Sequence, residues 1–147
     1  MLVPTEPIAF AEMPLTLEQA QTVVDAAHEK AREDGLPVTV AVVDEGGLLQ
    51  ALGRMDGAPP LSAQIAEAKA VGAALWHRDG DQLAAVQADR AAFFAAVSSM
   101  VRVPIVPADG SVVIRRGETV LGAVGVSGAK PEQDRACAEA GLAAVLG

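Results

Sequence analysis

The chain is poor in the residue types that carry much of recognition chemistry. Its 147 residues include no tyrosine, one tryptophan, three phenylalanines, two histidines and one cysteine. A solitary Cys137 excludes a disulfide framework or a paired-cysteine metal site, and reads as a small buried thiol. His28 and His77 are too far apart to form a helical pair of metal ligands, so a metal would have to gather ligands from distant segments or from two subunits. Positive charge is scarce as well: 11 Lys and Arg against 19 Asp and Glu leave a formal charge of −8. A phosphate backbone needs a basic surface and aromatics for stacking, so no nucleic-acid partner is expected. The same charge argues against an anionic membrane. No run of about 18 apolar residues occurs, and residues 1–13 lack the basic start and apolar run of a secretion signal. The expected location is therefore the cytoplasm.

What the chain does have is small apolar residues. Hydrophobic residues make up 51% of it, mostly Ala, Val and Leu, enough for one closely packed core. Residues 1–14 carry three prolines and little periodicity and read as an arm; residues 15–147 read as a single domain. A first helix opens at Thr16, where Thr16 and Gln19 have capping-box spacing and Leu15 supplies a staple, and it stops at Gly35. His28 lies beside its apolar stripe. Residues 38–43 are β-rich and apolar, a central strand covered on both faces, and Asp44, Gly46 and Gly47 turn the chain into a hairpin partner over residues 48–55.

A second helix starts at Ser62, with Leu61, Ile65, Ala68, Gly72 and Leu75 as its apolar stripe and Lys69 at the edge. Residues 77–81 interrupt the helical pattern, which resumes from Gln82 to about Ser99. Three strands follow, at residues 103–106, 112–115 and 119–126, and an Ala-rich helix closes the chain over residues 131–146. The expected fold is α+β, a sheet of about five antiparallel strands flanked by helices.

Residues 120–134 organise the rest: a small-residue strand runs into a glycine-rich turn and then a helix opening at Pro131. Gly122, Gly125 and Gly128 permit close approach of backbone or ligand, and the turn leaves oriented amides. Facing it, the end of the first hairpin puts Arg54 and Asp56 among glycines. A pocket between the two stretches would gather Arg54 and Lys69 with amides around Gly125, Ser127 and Gly128, and would favour an anionic ligand. The stretch 125–129 lacks the second glycine of a nucleophile elbow, and the glycines spell neither a P-loop nor a dinucleotide fingerprint.

Several separated motifs, in order and spacing, resemble the GlcG/HbpS family, also called the haem-degrading domain family. They are Asp44-x-Gly46-Gly47, the run from Arg54 through Met55, Asp56 and Gly57 to Ala58, Ser62, Ala68-Lys69-Ala70, the run 122–128, and Pro131-Glu132-Gln133-Asp134. The similarity extends to the C-terminal domain of some corrinoid adenosyltransferases. It implies a profilin-like sandwich that assembles into homo-oligomers through dimers, with several members binding haem or iron. This chain departs from the pattern at Val101-Arg102, where the family has a glycine pair, and at Lys130, where it has threonine. Both changes add bulk or positive charge where the family leaves open space, which weakens the haem binding that the resemblance implies and favours a different, anionic small molecule.

Two functional classes follow. As a binding module, the domain would take haem or another anionic ligand, with His28 or His77 as iron ligand and Arg54, Arg102 or Lys130 pairing with propionates. As a cofactor-independent enzyme of the lyase or isomerase type, it would use Asp44, Asp56 or Asp134 as base and Arg54 or Lys69 as electrophilic partner.

Overall fold

The structure is a computed structural model and describes residues 14–146, so most of the expected arm lies outside the described residues. Helix α1 (Leu17–Glu33) opens as the sequence dictates. Thr16 Oγ1 accepts from the Gln19 amide at 3.1 Å, while Gln19 Oε1 accepts from the Thr16 amide at 3.0 Å. Gly35, at φ +67°, takes the left-handed position that ends it. Strands β1 (Thr39–Asp44) and β2 (Leu49–Arg54) form the hairpin, followed by helix α2 (Ser62–Trp76). Two short helices, α3 (Gly80–Asp89) and α4 (Ala91–Ser98), precede strands β3 (Ser111–Arg116) and β4 (Thr119–Ser127) and helix α5 (Pro131–Ala143).

The four strands are antiparallel in the order β2-β1-β4-β3. Alternation along the two central strands splits the core. Val40, Val42, Val124 and Val126 face α1 and α5, whereas Val43 and Ala123 face α2 and its satellites. Small residues set the spacing: a Cβ on Gly125 would collide with the Ala66 carbonyl oxygen and lie 2.7 Å from the Ala70 nitrogen, so β4 can hold α2 almost backbone to backbone.

Three expectations are corrected. Residues 103–106 are not a strand, because Pro104 and Pro107 remove two amides and the Ile105 amide instead donates to Ser98 Oγ at 3.1 Å. They form a strap over α2, with Ile105 seated on Gly72. The helix expected from Gln82 to Ser99 breaks at Arg90 (φ −137°, ψ 50°), which ends α3 and starts α4. Finally, the Leu61 to Leu75 stripe of α2 does not face the sheet. Ser62, Ala66, Ala70 and Ala73 do, while Leu61 and Leu75 are exposed.

Candidate functional site

The glycine-rich corner forms as expected, and its centre is an ion pair. Asp134, in the first turns of α5, turns back so that Oδ1 accepts from the Ala129 amide at 3.0 Å and Oδ2 from Lys69 Nζ at 3.1 Å. Lys69 reaches from α2 and also donates to the Val126 carbonyl of β4 at 2.8 Å. Lys69 and Asp134 are 5% and 3% exposed. A Cβ on Gly110 would sit 2.8 Å from Lys69 Nζ, so only glycine leaves room for the ammonium. Burial raises the Asp134 carboxyl above its ordinary value; the attraction of Lys69 and the Ala129 hydrogen bond oppose this without cancelling it. The pair ties α2, β4 and α5 together, with no ligand-facing surface of its own.

The other site residues from the sequence fall in separate places. Asp44 Oδ1 accepts from the Gly46 and Leu48 amides, both at 2.9 Å, and so shapes the hairpin turn at the opposite end of β1 from Thr39. Arg54, the last residue of β2, and Asp56 beyond it are exposed, and Arg54 Nη1 donates to the Ala58 carbonyl at 2.9 Å. Gly125 is covered by α2, and Gly128 (φ +132°) lies against Pro37 and Val38. Ser127 is buried opposite Thr39, whose hydroxyl lies 2.7 Å from Ser62 Oγ. Thr39 gave no signal in the sequence beyond β propensity.

The two histidines are not equivalent. His28 packs on Gly53 of β2 with Nε2 2.9 Å from its carbonyl oxygen, so that nitrogen is already engaged. His77, the left-handed cap of α2 at φ 57°, is exposed, and its carbonyl accepts from Arg115. Among the described residues no group of three His, Cys, Asp or Glu could hold a metal ion. Burial pushes the Cys137 thiol up to about 11, which keeps it protonated and unreactive.

A cavity of about 630 Å³ beside the start of α1 is lined by Thr16, Glu18 and Ala144 among others and lacks a basic or imidazole group. A second cleft, of about 320 Å³, runs between the outer flank of α2 and the strap. Leu61, Ile65, Ala68, Val103, Pro104 and Val106 form its walls, with Arg102 as its one cation and Glu67 as its one acid. Arg102 and Val103 also line a small adjoining hollow beside Leu75 and the hairpin turn. Arg102 was legible as an added charge, but the cleft was not, because it depends on the strap that had been read as a strand.

Residues 15–143 match the family model described as haem degrading protein HbpS-like. The chain is 37% identical to Protein GlcG of Escherichia coli (strain K12) over 115 residues, 77% of this chain and 81% of that protein. Its fold superposes on a crystal structure of a double mutant of Streptomyces reticuli HbpS with a TM-score of 0.81, at 31% identity, over 100% of this chain and 99% of that one. A crystal structure of a PduOC–haem complex gives a TM-score of 0.80 at 28% identity, over 90% and 95% of the two chains.

Proposed function

From its membership of the HbpS-like family, to which this chain belongs, we propose that it is a small-molecule-binding domain whose ligand has an apolar body and carboxylate groups, haem foremost. The observation that carries this reading is the cleft between α2 and the strap, where apolar walls end at a single guanidinium, Arg102. Its volume is at the lower end of about 300–1,000 Å³ for ligand sites, and suits a flat ligand held along one edge. The apolar walls would contact the edge of a porphyrin, and Arg102 would pair with a propionate. No imidazole, thiolate or thioether lines the cleft, so its own residues do not supply an iron ligand.

His77 is the imidazole left exposed, but it lies about 18 Å along the helix from Ile65, at 1.5 Å per residue, so within one chain it is remote from the cleft. In this reading a neighbouring copy would supply the iron ligand. Helix α4 supports such a neighbour: seven of its eight residues are apolar, yet only Phe94 is buried, stacked on Trp76 at 5.1 Å. Phe93 and the following Met100 are 46% and 81% exposed. A helix apolar all round belongs in an interface, and the protein is a homo-oligomer in this reading. The enclosure of Lys69 and Asp134 speaks against this pair as the acid–base machinery of the enzyme alternative. The deciding measurement is a haem titration followed by the Soret band. A saturable shift, weakened in Arg102→Ala, is expected; no shift would reject haem as the ligand.

A further inference from the structure

The described chain begins on a groove. Leu15 is buried, its carbonyl accepts from Gln50 Nε2 at 2.7 Å, and its side chain lines a cavity of about 330 Å³. Ile114, Leu121 and Val145 are the other apolar walls, and Arg115 and Arg116 supply the charge. Gln19 and Val145 also line the cavity of about 630 Å³ beside the start of α1, so the two adjoin. Leu17 on one and Leu146 on the other are exposed. Elsewhere α2 and β4 meet almost backbone to backbone, and open space along apolar side chains contrasts with that packing. Both arginines are exposed. Arg115 Nη2 donates to the His77 carbonyl at 2.6 Å, and no acid among the described residues forms an ion pair with either.

The stretch of chain that leads into Leu15 has the complementary chemistry. Residues 1–13, MLVPTEPIAFAEM, carry Leu2, Val3, Ile8 and Phe10, and their only charged side chains are Glu6 and Glu12. Pro4, Pro7 and Pro14 bias the residue before each of them toward extended backbone, and in an extended segment Ile8, Phe10 and Glu12 fall on one side. That side offers two large apolar groups and a carboxylate to a groove of apolar walls and guanidinium groups. Phe10 lies five positions before Leu15, at most about 18 Å of extended chain, so it stays within reach of the groove. Attachment also presents the segment at an effective concentration on the order of millimolar, an advantage that a separate molecule lacks. We propose that the groove is the docking site of the chain's own residues 1–13, with Ile8 and Phe10 against Ile114, Leu121 and Val145 and with Glu12 paired with Arg116.

The test is a nuclear Overhauser spectrum of the whole chain, labelled at its Ile, Leu and Val methyl groups and protonated at Phe. Cross-peaks from Ile8 and Phe10 to Ile114, Leu121 or Val145 are expected. Phe10→Asp should abolish them and move the Leu121 and Val145 methyl resonances, while those of Val43 and Val113, in the core on the other face of the sheet, stay in place and report that the chain is folded. Arg116→Glu should weaken the cross-peaks, and adding Glu12→Arg should restore them. A sample that mixes labelled with unlabelled chains distinguishes the occupants: cross-peaks found only between chains would place the segment on a neighbouring copy and overturn docking within the chain. The proposal also fails if the wild type shows no cross-peak between residues 1–13 and the groove, or if Phe10→Asp leaves the Leu121 and Val145 resonances where they were.

Discussion

Lys69 has two acceptors, the Val126 carbonyl and Asp134, and loss of the second strands an ammonium inside the protein. Asp134→Ala is therefore expected to cost about 3–5 kcal/mol, whereas the paired change Lys69→Met with Asp134→Leu should be close to neutral. Chemical denaturation of the three proteins measures the difference. The acid limb carries a second expectation. A carboxyl whose folded value lies above 3.8 holds its proton more tightly in the native state, so its contribution to stability is fullest below 3.8 and is lost as pH rises through the raised folded value. Thermal melts of wild type and Asp134→Asn across the acidic range should thus move in favour of the wild type as pH falls; the opposite trend would mean that Lys69 dominates. For haem, His77→Ala should abolish a Soret shift and His28→Ala should not, because His28 Nε2 is engaged by Gly53. Unchanged titrations in both would remove the histidines from consideration.

Elements with a local signature were legible: the capping box of Thr16, the left-handed Gly35, the apolar run of β1 and the proline opening of α5 each act within a few residues. What depended on partners distant in sequence was not. Lys69 could be placed at a helix edge, but its partner lies 65 positions away. The α2 stripe was misassigned because alanines and a serine, which look neutral in a pattern, are what a helix needs to lie against Gly125. Residues 103–106 are a short apolar run like a strand, yet Pro104 lacks an amide and the Ile105 amide is taken by the Ser98 hydroxyl rather than by a neighbouring strand. The strap depends on Ile105 filling the space over Gly72, so Ile105→Ala should destabilise the fold by about 2–5 kcal/mol and open the cleft. Denaturant midpoints and the haem titration together report both effects, and a variant of unchanged stability would show that the strap is held from elsewhere.

At the scale of the molecule, the exposed side of α4 sets the expected assembly. Light scattering should give more than one 15.0 kDa chain, and Phe93→Glu with Met100→Lys should shift it toward the monomer without lowering helix content. A single-chain mass for the wild type across micromolar concentrations would refute self-association. The strand order has a further consequence, for how the protein is made. The two hairpins are joined through β1 and β4, and β4, the second partner of central β1, leaves the ribosome only after α2, α3, α4 and β3. Until residues 119–134 emerge, β1 has one open edge, α2 has no Gly125 to rest on, and Lys69 has neither acceptor. The nascent chain must therefore wait, with its apolar strands uncovered, until residues 119–134 complete the fold.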